Sequence, residues 1–259
     1  MRRPRRRTVG FVLVVLVAVL AGLFAWYVQP QPVLPEATAS LASTPEVTYT
    51  DAPHGLQWAP ADATPTTGLI IYPGGKVPPE AYGPTAQAVA AEGYLTVITP
   101  MPFNLAVLDV DAADRVRAAH PEIDSWVIAG HSLGGSMAAQ HVAGHPETFD
   151  GLAFWASYAA TDLSALDLAA VSIYGTLDAG AARMSGPEAQ AALPDDAVFV
   201  PIEGGNHEQM GWYTGQPNDP PATISREDQQ AELIEATVAL LEGVAGAPQA
   251  GSAMRRRAA

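Results

Sequence analysis

Ser132 lies at the centre of Gly130-His131-Ser132-Leu133-Gly134, between an apolar run, Trp126–Ala129, and a helix-competent run, Met137–Val142. A strand that turns straight into a helix needs a tight corner. Glycines two residues before and two after the corner let the backbone pass closely with no Cβ in the way. The corner side chain then projects from the end of the sheet, toward helix N–H groups that favour developing negative charge. A serine hydroxyl in that position is a candidate nucleophile. It requires a base to take its proton and a third group to hold the base.

Two further segments follow in order, Tyr174-Gly175-Thr176-Leu177-Asp178 and Gly204-Gly205-Asn206-His207. Together with Gly-His-Ser-Leu-Gly-Gly they make the chain resemble an α/β-hydrolase over about residues 45–244. The resemblance implies the chain order serine, acid, histidine. Of the six histidines, only His207 lies beyond the last strand candidate, Ala197–Ile202, and it is the expected base. His131 adjoins the corner and reads as packing or pocket wall. His120, His141 and His145 flank prolines or lie on a helix and read as surface. Asp178 matches the family's Gly-x-x-Asp pattern after the strand Ala170–Tyr174, where a carboxylate can accept the histidine Nδ1–H and fix its tautomer. Asp162 and Asp167 are the rival acids, because some members of the fold place the acid after the preceding strand.

Acyl transfer also needs donors for an oxyanion. The resemblance implies the backbone N–H of Leu133 and one from the loop Pro73-Gly74-Gly75-Lys76, with Gly75 the expected donor. Family members often carry His-Gly where this chain has Pro73-Gly74. Lys76 either brings positive charge to the site or is a solvated loop lysine. Met101 and Phe103, after one strand, and Trp212, after the histidine, are candidate substrate-binding walls, since loops at that end of a sheet carry specificity. Metal-ligand spacing, a dinucleotide glycine fingerprint and a phosphate loop are not recognised, so neither metal nor cofactor is expected.

The elements that must position these residues alternate. Strands are expected at Val47–Thr50, Leu56–Trp58, Gly68–Tyr72, Tyr94–Thr99, Ser125–Ala129, Gly151–Trp155, Ala170–Tyr174 and Ala197–Ile202. Helices are expected at Glu80–Glu92, Leu105–Ala119, Leu133–Ala143 and Arg226–Glu242. This alternation predicts an α/β fold with a mostly parallel central sheet of about eight strands and helices on both faces.

Charge and hydropathy divide the chain further. Five of the 13 basic residues fall within residues 2–7 and three more at 255–257, which leaves 5 basic against 27 acidic residues between them, a net of −22. So acidic a body argues against nucleic acid as a partner. Val9–Val28 is a 20-residue apolar run behind arginines, ending in Trp26-Tyr27. That length and those flanks predict that residues 1–28 are a basic N-terminus and a transmembrane anchor, with the catalytic domain outside the cytoplasm. The alternative is secretion after signal cleavage near Ala37-Thr38-Ala39. Residues 29–45 read as a Pro-rich tether, 46–244 as the hydrolase domain and 245–259 as a disordered basic tail. The chain has no cysteine, which removes disulfides and thiol nucleophiles. The expected function is a serine hydrolase on an ester-type substrate, a small acyl compound. Amide or peptide cleavage on the same residues, or a non-catalytic anchored binding protein on the same scaffold, stays open.

Overall fold

The computed structural model describes residues 6–247, with side chains from residue 11 onward, so Arg2, Arg3, Arg5 and the basic stretch of the expected tail lie outside the described residues. The chain divides into two units, residues 1–30 and 31–259. The first contains helix α1, Arg6–Tyr27, whose side chains from Phe11 to Tyr27 are exposed. Among the described residues no helix is long and apolar enough to cross a membrane.

The second unit opens with α2, Pro35–Ala39, followed by the hairpin β1, Val47–Ala52, and β2, Gly55–Pro60. Then come β3, Thr67–Tyr72; α3, Gly83–Ala91; β4, Leu95–Ile98; α4, Ala112–Ala119; β5, Ser125–His131; and α5, Leu133–Gly144. After β6, Gly151–Trp155, and β7, Ala169–Gly175, two short helices, α6, Ala181–Ser185, and α7, Pro187–Ala191, precede β8, Val198–Ile202, and α8, Arg226–Gly246. The eight strands form one sheet in the order β1-β2-β4-β3-β5-β6-β7-β8. The β1–β2 and β2–β4 pairs are antiparallel and the others parallel.

Burial follows position in the sheet. Every residue of β3, β4, β5 and β6 is buried, as central parallel strands covered on both faces must be. The edge strands β1 and β8 carry exposed positions instead. Two cores lie on the two faces. One packs Ala86 and Val89 of α3 and Leu233 and Leu241 of α8 against Leu69, Ile71 and Val127. The other packs Ala113 and Val116 of α4 and Ala138 and Val142 of α5 against Ile70, Ile128 and Phe154. Ser225 caps α8 by accepting the Asp228 N–H, the arrangement that satisfies an orphan donor of the first turn.

Three expectations differ from the structure. The single helix over Leu105–Ala119 is a 3-10 turn at Ala106–Leu108 and then α4. Buried Tyr72 from β3 explains the interruption: its hydroxyl donates to the Val110 carbonyl and accepts the Ala113 N–H, taking backbone groups from a continuous helix. The segment read as an extended tether is packed. Gln31 N–H donates to Lys76 O, Leu34 N–H to Trp212 O, and Val33 bridges Tyr213. Ala37 is fully buried, and the Trp58 indole donates to Ser40 O. Finally, the residues read as the start of the tail continue α8 to Gly246.

Candidate active site

Strand β5 pairs with β3 on one side and β6 on the other, and its last residues deliver Ser132 to the C-terminal end of the sheet. Ser132 has φ 52 and ψ −119. A non-glycine residue at positive φ stores about 1–3 kcal/mol of strain, sustained only where the surroundings over-determine it. Here they do: Ser132 N–H donates to Trp155 O at 3.0 Å, and the Ser157 hydroxyl donates to Ser132 O at 2.6 Å. The flanking glycines are required by close approach. A Cβ on Gly130 would meet the Gly134 and Gly135 backbone, and one on Gly134 would meet the Tyr72 and Pro73 carbonyls. Ser132 occupies the N-cap position of α5, yet its side chain makes no capping bond. The hydroxyl is therefore not spent on the helix.

His207 follows β8 in the loop that the sequence indicated. Its Nδ1 lies 2.6 Å from Asp178 Oδ2. Asp178 follows β7 and is buried, and its Oδ1 accepts the Gly180 N–H at 2.6 Å. Both carboxylate oxygens thus accept, so Nδ1 is the donating nitrogen of His207, and in a neutral ring that leaves the lone pair on Nε2. Ser132, Asp178 and His207 line one cleft of about 380 Å³. The rival acids fall elsewhere: Asp162 and Asp167 are both exposed, and Asp162 accepts from the Ser164 N–H and hydroxyl, which hold its carboxyl below the usual range.

Residues that the sequence reading did not single out hold the histidine loop. The Asp219 carboxylate accepts the His207 and Glu208 N–H groups at 3.1 and 2.8 Å. Burial raises its pKa, and those two donors oppose the rise. Gln229 of α8, fully buried, accepts the Asn206 N–H and donates to the Asn206 carbonyl, as a neighbouring strand would. Arg226 donates to the Glu208 and Gly211 carbonyls. Nothing local in the sequence marks these partners; a glutamine in an amphipathic helix reads as solvated until the helix is docked.

In the loop after β3 the Gly74 N–H donates to the Tyr82 hydroxyl and the Lys76 N–H to Asn104 O. Gly75, between them, abuts the Leu133 side chain, and among the described residues its N–H has no acceptor. Leu133 opens α5, so its N–H is one of the unsatisfied donors of the first turn.

The remaining cleft walls differ from those expected. None of Lys76, Met101, Phe103 and Trp212 is among the lining residues; Leu133, Met137, Ala156, Tyr158, Arg183 and Met184 are. Met101 is buried, while Phe103 is 57% exposed. Trp212 is tied down through Ala81 and Leu34. The working wall comes instead from the loop after β6 and from α6, with the Arg183 guanidinium 4.0 Å over the Tyr158 ring. Ala156 there has φ 45, so a second strained residue faces the same cleft.

His131 is a packing residue, as expected, and a buried one. Its Nδ1 is hydrogen-bonded to the Tyr82 hydroxyl at 2.7 Å, and its ring centroid lies 4.6 Å from that of His207. Burial first, and the neighbouring His207 second, push its pKa well below the usual value. Below about pH 6.5 the unfolded chain binds a proton here that the folded chain refuses, so this residue costs stability as pH falls, by up to about 1.4 kcal/mol per pH unit. We expect His131→Asn to flatten the loss of stability between about pH 7 and pH 5 in urea melts, whatever it does to stability at neutral pH. An unchanged slope would contradict this assignment. His141, read as surface, is also buried, and only its neighbour His145 is partly open.

The family model described as "Alpha/beta hydrolase family" matches residues 68–231, more than half of the chain. No curated protein sequence matches. Among solved structures, one similar chain is described as a predicted CIB-like hydrolase from Thermoplasma acidophilum. It is 15% identical, with a TM-score of 0.55, over 76% of this chain and 97% of that one. At that identity the likeness concerns the fold.

Proposed function

The chain belongs to the alpha/beta hydrolase family, and from that premise we propose that it is a serine hydrolase cleaving carboxylic esters or thioesters through an acyl-enzyme on Ser132. One observation carries the reading: a strained serine shares a cleft with a histidine whose Nδ1 is held 2.6 Å from a buried carboxylate. Ser132 Oγ attacks the acyl carbon while His207 Nε2 takes its proton. The resulting oxyanion is met by the Leu133 and Gly75 N–H groups. Collapse expels the alcohol or thiol, which leaves with the proton from His207. Water then repeats the sequence and releases the acid. Asp178 holds the tautomer and stabilises the imidazolium without taking the proton. Neutral His131 adds no second positive charge beside it.

The cleft volume of about 380 Å³ and its Leu, Met, Ala and Tyr walls suit a small acyl group. A chromogenic acetate ester tests the reading. We expect a burst of about one leaving group per chain before the steady state, with rates falling as the acyl chain lengthens. Folded chain that turns over no ester and gives no burst would refute it.

We further infer that α1 anchors the chain in a membrane with the catalytic unit outside the cytoplasm. The described side chains of α1 stop short of a full span, but the apolar run continues back to Val9 and reaches 20 residues. Twenty residues in helical conformation would extend about 30 Å, the thickness of the hydrocarbon core. The arginines before it favour a cytoplasmic N-terminus. Cleavage after Ala39 would remove the Val33–Tyr213 bridge and the Leu34 bond to Trp212, which supports retention of the segment. A C-terminal reporter active only in the cytoplasm is expected to stay silent; a strong signal would reverse the orientation.

A further inference from the structure

Away from Ser132, three electron-pair donors converge. His54 lies between β1 and β2, Gln57 in β2, and His120 at the C-terminal end of α4. His54 Nε2 is 3.2 Å from His120 Nε2, and Gln57 Oε1 is 3.3 Å from the first and 3.0 Å from the second. On the far side of the ring, His120 Nδ1 is 2.8 Å from Glu122 Oε1.

With the Gln57 amide oxygen turned inward, the three atoms do not all find donors among themselves. An ionised Glu122 only accepts, so His120 Nδ1 carries the hydrogen and, in a neutral ring, Nε2 carries a lone pair. That lone pair faces a second acceptor, Gln57 Oε1, at 3.0 Å. His54 Nε2 has at most one proton to offer to both. A cation at the centre satisfies all three. The distances also fit one. Ligands about 2.0–2.1 Å from a tetrahedral zinc ion stand about 3.3–3.4 Å from each other, so the observed triangle is close to one face of that tetrahedron. A second group, Asp111, His141 and His145, has its ligand atoms within 4.8 Å of one another, a wider bound than the 3.0–3.3 Å of this triangle. Glu122 behind His120 is the carboxylate that commonly orients a metal-bound imidazole and raises its basicity. The net charge of −22 between the two arginine clusters favours local accumulation of cations.

We propose that His54, Gln57 and His120 bind a divalent cation of the zinc class, with water in the fourth position, fastening the β1–β2 hairpin to the end of α4. Two imidazoles and one amide oxygen suit zinc or its imidazole-binding neighbours better than calcium or magnesium.

The test uses the full-length chain in detergent micelles, stripped with a chelator and titrated with Zn²⁺ by calorimetry, with the Co²⁺ absorption spectrum as a second readout. We expect about one equivalent bound per chain and a tetrahedral Co²⁺ spectrum. Both should be lost in His54→Ala and in His120→Ala, and retained in His145→Ala. Glu122→Gln should weaken binding about 10–100-fold. The proposal is overturned if wild type shows no saturable Zn²⁺ binding, which would leave a shared proton at this point. It is equally overturned if binding persists in the His54 variant or disappears in the His145 variant. Should His120→Ala not fold, His54→Ala, altered at a partly exposed hairpin turn, decides alone.

Discussion

Ser132→Ala is expected to lower turnover of any ester substrate about 10⁶-fold, and His207→Ala by a similar factor, with the double variant little worse than either. In the proposed mechanism serine and histidine act as one unit: without the base the hydroxyl is a poor nucleophile, and without the hydroxyl the base has nothing to deprotonate. Neither residue carries the fold. Ser132 contributes its backbone N–H and carbonyl to the clamp with Trp155 and Ser157, and alanine keeps both. His207 is partly exposed, and its N–H contact to Asp219 survives substitution. Melting behaviour near that of wild type should therefore accompany the loss of rate. Steady-state kinetics on one chromogenic ester, with the two single variants and the double, checks this. Losses that multiply in the double variant would mean that His207 is not the base for Ser132.

Asp178→Asn is expected to lower kcat about 10⁴-fold while leaving the serine and histidine in place. Asparagine is isosteric, but it turns an acceptor toward His207 only at the expense of the bond from Gly180, and it removes the charge that stabilises imidazolium. The tautomer with the lone pair on Nε2 is then no longer enforced. Asp162→Asn and Asp167→Asn supply the comparison, since both residues are exposed and outside the cleft; each should stay within about twofold of wild type, as ordinary surface substitutions do. A collapse of rate at either, with Asp178→Asn near wild type, would move the acid to the loop after β6.

Much of this arrangement is legible in the sequence because it is local. All eight strands read correctly to within two residues at either end, since central strands are continuous apolar runs bounded by Pro, Gly and polar turns. Ser132 announces itself through the glycines its corner demands. Asp178 and His207 follow from their places after β7 and β8. What the sequence hides is long-range. The Tyr72 hydroxyl that interrupts the helix before α4 lies 41 residues from the Ala113 N–H it accepts. Gln229 reaches back 23 residues to Asn206. Proline-rich residues 31–40 look like a linker by composition, yet they find partners at Lys76, Trp212 and Trp58. The expected walls lie on the Met101 and Trp212 loops, whereas Tyr158 after β6 and Arg183 of α6, on two separate connections, line the cleft.

The central claim is that Ser132 is an activated nucleophile. A fluorophosphonate probe tests it directly, because only an activated serine displaces fluoride and keeps the phosphonyl group. Intact-mass spectrometry of the labelled full-length chain is predicted to show one adduct, with peptide mapping placing it on Ser132, and no adduct in Ser132→Ala or His207→Ala. Folded wild-type chain that stays unlabelled, or that carries the adduct on another residue, would contradict the account.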